Sequence, residues 1–158
     1  MERSVRDIKR DRDRKRRDEV KGVLATFAFN LELANALELE IERKRDRLDS
    51  LKSGVGNPNP SKGGGSSQED LICKVLDDIK VLEDEFSVLV SENLNMHRLI
   101  KGLDDPIMVR IVYGVWVERS ASMRELASRF NLSHTMIWKK SDVALLRLYK
   151  LIGERAFG

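Results

Sequence analysis

The sequence predicts an all-α fold: a long helical hairpin or coiled coil followed by a small three-helix domain containing a helix-turn-helix. Three observations carry this. Apolar residues recur at heptad spacing through residues 72–103, 35% of the 158 residues are charged while only 6% are aromatic, and two short amphipathic segments flank a tight turn near Asn131. Sparse aromatics and abundant charge suit long helices better than a thick globular core.

Residues 1–19 form a basic tail with almost nothing to bury, so this stretch is either disordered or a solvated extension of the helix after it. From Val20 the apolar positions Val20, Leu24, Phe27, Leu31, Ala34, Ile41 and Leu48 mark one face of a long helix ending near Lys52, with Val23, Leu37 and Leu51 on its flank. Glu38 and Arg45 fall on the same seam. Residues 53–67, SGVGNPNPSKGGGSS, have the composition of a flexible linker, because Gly and Ser resist a fixed backbone and two prolines forbid helix continuation. The glycine run lacks the Gly-Lys-Ser/Thr ending of a phosphate-cradling loop.

A second long helix is expected from about Gln68 to Gly102. Ile72, Ile79, Phe86, Asn93 and Ile100 take one seam position, and Val75, Leu82, Leu89, Met96 and Leu103 take the other. A buried amide such as Asn93 favours pairing with another amide and a defined register. Self-association through this seam is one reading, with a dimer favoured. An intramolecular hairpin with helix 20–52 is the other, and the two are compatible as a bundle of two hairpins. The domain boundaries that follow are a tail 1–19, a helical region 20–102 and a C-terminal domain 103–158.

In that last domain Asp105 caps and Pro106 opens a nearly apolar helix over 106–118. Capping also accounts for the Asp104–Asp105 pair without invoking acid/base catalysis. Ser122 and Glu125 form a capping box, so another helix starts near Met123 and buries Met123, Leu126, Ala127 and Phe130. Asn131 tolerates the left-handed conformation that ends helices, and Ser133 is a ready cap for the next helix. That helix buries Ile137, Ala144, Leu145 and Leu148 and leaves His134, Thr135, Trp138 and Lys139 outside in its first two turns. Such a set suits a major-groove reader: lysine donates to guanine, threonine offers a hydroxyl and a methyl, and histidine donates or accepts. Arg124, Arg129, Ser133 and Lys140 complete the expected DNA-binding set as phosphate or flanking contacts.

The charge distribution agrees. Residues 1–21 hold ten Lys/Arg against six Asp/Glu, residues 22–118 eleven against seventeen, and residues 119–158 eight against three. The two ends are where a polyanion meets positive charge. A single cysteine, Cys73, excludes an intramolecular disulfide framework and suits a reducing cytosol. His97 and His134 share no metal-ligand spacing, so neither a metal nor another cofactor is expected. The apolar run Val23–Leu37 is interrupted by Asn30, Glu32 and Asn35 and is too short for a membrane span. No nucleophile–base pair stands out, and an enzyme is not expected.

Leu103-Asp104-Asp105-Pro106, the apolar helix after it, Ser122-Met123-Arg124-Glu125-Leu126-Ala127 and Leu132-Ser133 resemble phage late-gene transcriptional regulators of the ArpU and RinA kinds. Their C-terminal domain is similar to the promoter-reading helix-turn-helix of primary sigma factors. The resemblance covers about residues 103–152. It implies a DNA-binding activator of phage late genes in the cytoplasm of a bacterial host, with His134, Thr135, Trp138 and Lys139 on the base-reading face; whether RNA polymerase is also a partner is not written in the sequence. The chain departs from the family pattern at Arg124, where an acidic residue is common, at Asn131, where glycine is common, and at Lys140, where an aliphatic residue usually faces the core. Two other functions fit the same layout: the small DNA-recognition subunit of a phage packaging motor, separable by its ring-sized oligomer, and a coiled-coil adaptor that never reads bases.

Overall fold

The computed structural model describes residues 3–54 and 64–156. The described residues contain five α-helices and no strand: α1 (Val5–Lys52), α2 (Gly64–Lys101), α3 (Pro106–Ile111), α4 (Met123–Arg129) and α5 (His134–Ala156), with a π-helical turn over Val112–Val117 directly after α3. No described helix is long and apolar enough to cross a membrane.

The basic stretch expected as a tail is helical from Val5 onward, the extension reading. Ser4 explains the start. Its Oγ accepts from Asp7 N–H at 3.2 Å and donates to the Asp7 carboxylate at 2.8 Å, a Ser-x-x-Asp version of the capping box. Opposite charges at three- and four-residue steps, such as Asp11–Lys15 and Asp13–Arg17, then favour continuing the helix.

The chain divides into two compact units at other places than the sequence suggested. One comprises residues 1–29 with 93–158, the other residues 30–92. The boundary moves because the first half of α1 packs on the C-terminal helices instead of standing apart from them. Within that first unit Arg17 pairs with Asp142 at 3.6 Å, Arg16 lies 5.0 Å from the Tyr149 ring centroid, and Lys21 lies 4.8 Å from that of Trp116. Val20, Leu24 and Phe27 are buried there, and Val23, expected to flank the seam, is exposed.

In the second unit α1 and α2 form an antiparallel hairpin in which Leu48, Val75 and Ile79 make a core, with Leu51 and Ile72 packed against it. Lys44–Asp78 at 3.6 Å and Arg45–Glu83 at 2.6 Å tie the register. The inward stripe of α1 here is Ala34, Leu37, Ile41 and Leu48, so Leu37 takes the place the sequence pattern gave to Glu38. One residue of rotation puts a leucine inside and both Glu38 and Arg45 in solvent, which avoids burying charge. Glycine 64 already lies in α2, so the helix starts four residues before Gln68. Most of the expected linker, 55–63, falls outside the described residues; Ser53 and Gly54 close α1, with Gly54 at φ 72°.

In the first unit Ile111, Met123, Leu126, Ala127 and Ile137 form the core, sealed by Ile107, Val115, Trp116, Phe130 and Leu132 among others. The expected helix 106–118 is two pieces. After Ile111 it widens, with Glu118 N–H donating to Tyr113 C=O at 2.7 Å across five residues. Gly114 makes the reversal that follows: its carbonyl accepts from Ser120 and Ala121 N–H at 2.9 and 3.1 Å. A Cβ on Gly114 would sit 3.4 Å from that of Ala121.

Candidate nucleic-acid interface

The unit of interest is built from the caps outward. Ser122 Oγ accepts from Glu125 N–H at 3.1 Å and starts α4. Four residues, 130–133, then separate α4 from α5. Asn131 takes φ 53°, and Leu132 N–H returns to Ala127 C=O at 2.9 Å, so the chain turns within a single left-handed residue. Ser133 Oγ accepts from Met136 N–H at 3.1 Å and starts α5.

Burial sets the rotation of α5. Ile137, Ala144, Leu145 and Leu148 are all essentially inaccessible, and Ser141 joins them. His134, Thr135, Trp138 and Lys139 are exposed together on the first two turns, as their spacing predicted. His134 and Trp138 meet edge to face, with ring centroids 6.2 Å apart. Met136 is half exposed in the same two turns; its position outside the 137/141/144/148 stripe was the signal for it. Arg124 and Arg129 are exposed on α4.

Lys140 behaves differently from the rest of the expected set. Its Nζ stands 3.2 Å from Asp105 Oδ2, and both side chains are about three-quarters covered. Asp105 Oδ1 meanwhile accepts from Ile107 and Met108 N–H at 2.9 and 3.3 Å, capping α3. Desolvation works against the Asp105 charge, but the Lys140 hydrogen bond and the two N–H groups outweigh it and hold the carboxyl below its ordinary range. Lys140 thus clamps α5 to the start of α3.

In the same unit, His97 Nδ1 and Tyr113 Oη are 2.6 Å apart and Phe27 meets the His97 ring edge-on at 5.0 Å. Burial first, then the charge of Lys101, pushes the His97 pKa below its ordinary value.

The expected association seam is largely covered from within the chain. Val75, Ile79, Asn93, Met96 and Ile100 are buried, and Ile72, Leu82, Phe86 and Leu89 are half-buried. Among the described residues no group of three His, Cys, Asp or Glu lies together as a metal site would require, and Cys73 is exposed.

Fold and surface together define an all-α protein with a helix-turn-helix unit whose second helix offers an unobstructed, chemically mixed face. No family model, curated protein or solved structure matches the chain.

Proposed function

We propose that the protein is a sequence-specific double-stranded DNA-binding transcription regulator that inserts the first two turns of α5 into the major groove. One observation carries the reading: His134, Thr135, Trp138 and Lys139 lie side by side and exposed at the start of a helix whose opposite face is buried. Their donors, acceptors and apolar edges match what base edges present in that groove. Arg124 and Arg129 on α4 are set to meet phosphates, which orient the reader without specifying sequence. The likeness to phage late-gene regulators extends the proposal to an activator on a bacterial promoter in the host cytoplasm, and the heptad pattern of α2 extends it to a dimer.

Selection from a random duplex pool, followed by anisotropy titration at two salt concentrations, tests this. Lys139→Ala and His134→Ala should each cost about 1–3 kcal/mol and relax preference at one or two base pairs. Arg124→Ala and Arg129→Ala should weaken selected and scrambled duplexes alike, lowering the salt slope by about one unit each. Failure of the native protein to enrich any sequence at physiological salt would overturn the proposal.

A further inference from the structure

The first four turns of α1 carry a row of cations on one face. Counting back in three- and four-residue steps from the buried Val20, Leu24 and Phe27, the same helix face reaches Arg17 and Arg16, then Asp13, then Arg10, Lys9 and Arg6. Asp7, Asp11, Asp18 and Glu19 fall on the reverse face, together with Arg14 and Lys15. There, Arg3 lies 3.0 Å from Asp11 and Lys21 lies 3.9 Å from Asp18, so local cations partly neutralise the acids. Among the described residues Arg6, Lys9 and Arg10 have no ion-pair partner, and residues 3–12 are exposed on every side. Like charges one turn apart, Arg6–Arg10 and Arg10–Arg14, slightly destabilise a free helix.

The anchor points of this helix fix where the basic face lies. Arg17 meets Asp142 and Arg16 meets Tyr149. On α5, Asp142 is four residues beyond Trp138 and seven beyond Thr135, and Tyr149 is seven beyond Asp142, so all four share one flank of that helix. The basic helix is therefore anchored on that flank of α5 between about one and three turns past Trp138, roughly 6 to 16 Å along the axis. Its Arg17 also covers the acidic Asp142 on the flank that DNA would approach.

We propose that Arg6, Lys9 and Arg10 form a second contact with double-stranded DNA, gripping the phosphate backbone outside the bases read by α5. Arg6 to Arg17 spans roughly 16 Å along the helix axis, the length of about five base pairs. The partner is the sugar-phosphate backbone because the face offers cations and long side chains and no apolar anchor that a protein groove would need. The inference rests on the DNA-binding reading of α5 and adds affinity and footprint, not sequence preference.

The test compares the native chain, a triple variant Arg6→Gln/Lys9→Gln/Arg10→Gln, and a charge-matched control Arg43→Gln/Arg47→Gln/Lys80→Gln, whose residues are exposed in the other compact unit. Glutamine keeps helix propensity close to that of lysine and arginine. Each is titrated against the selected duplex and a scrambled duplex over a salt series, and hydroxyl-radical footprints are taken on the selected one. The arm variant should lower the salt slope by about two to three units on both duplexes, leave base preference intact and lose only the outer edge of the footprint, while the control keeps the native slope. An unchanged slope and footprint for the arm variant would overturn the proposal while leaving the reading of α5 in place. An equal fall in the control would also overturn it, since bulk charge would then account for the effect. If the native chain binds neither duplex, both readings fall together, whereas loss of base preference only in His134 and Lys139 variants keeps them distinct.

Discussion

Asp105 shows how much one carboxylate does in this chain. It caps α3 through two N–H groups and holds Lys140 at 3.2 Å. Asp105→Ala should cost about 1–2 kcal/mol, chiefly through the lost cap. Asp105→Asn retains an acceptor for the cap but not the charge, and should cost about 1 kcal/mol or less, the scale of a partly exposed ion pair; urea unfolding of the two variants separates the contributions. Because the folded carboxyl ionises below its ordinary value, its contribution is present above pH 3.8 and is lost as pH falls through the lowered folded value. His97 gives an earlier acid sensitivity by a related route. Its folded pKa is lowered, so the unfolded chain binds the proton first. Stability is complete above the ordinary value of 6.5 and declines as pH falls below it toward the folded value. Thermal melts between pH 8 and pH 5 should show this decline, and His97→Gln should flatten it; a native profile that is flat over that range would refute the assignment.

At the scale of elements, the features written in short-range chemistry were legible. The Asp105, Ser122 and Ser133 caps, the turn at Asn131 and the buried stripe of α5 all follow from side chains within four residues of one another. The exposed face of His134, Thr135, Trp138 and Lys139 came with them, because fixing the buried side of a helix fixes the other. The start of α1 was equally available in Ser4-Val5-Arg6-Asp7, but the charge run concealed a capping box. What pattern reading missed depends on distant partners. The turn of α1 that puts Leu37 inside and Glu38 outside is decided by α2, and the π-helical widening closes through Gly114 C=O, which accepts from Ser120 and Ala121 N–H beyond the helix end. The role of Lys140 likewise needs Asp105, thirty-five residues away. Asn131 gives an element-scale prediction. At φ 53° a β-branched side chain is strained, so Asn131→Val should lower stability by about 1–2 kcal/mol, whereas Asn131→Gly should be neutral or raise it by under about 1 kcal/mol. Equal stabilities for the two variants by chemical denaturation would show that the turn does not depend on that conformation.

For the molecule as a whole, the division into two units changes what the heptad pattern means. Both long helices contribute to both units, and α1 already covers much of the seam that the sequence offers for self-association. A second copy would then use what the hairpin leaves open rather than the seam itself. In the 30–92 unit Leu33, Leu37, Val88 and Leu89 line an open apolar groove rimmed by Asp84 and Glu85. Val88 is 59% exposed, and Val81, two turns before it on α2, is 57% exposed, so the groove continues as a ridge. Pairing two such faces about a twofold axis buries each apolar strip against its counterpart, and a symmetric dimer would supply the two reading helices that a palindromic DNA site requires. Sedimentation should accordingly find a dimer at micromolar concentration. Val88→Glu sets a third carboxylate next to Asp84 and Glu85 and should yield a monomer with unchanged helical circular dichroism, since the side chain it replaces is already in solvent. That monomer should bind a half-site duplex with native preference but lose the gain in affinity on the full site, as two linked readers would. A native chain that sediments as a monomer, or a Val88→Glu chain that remains a dimer, would exclude this face as the contact between copies.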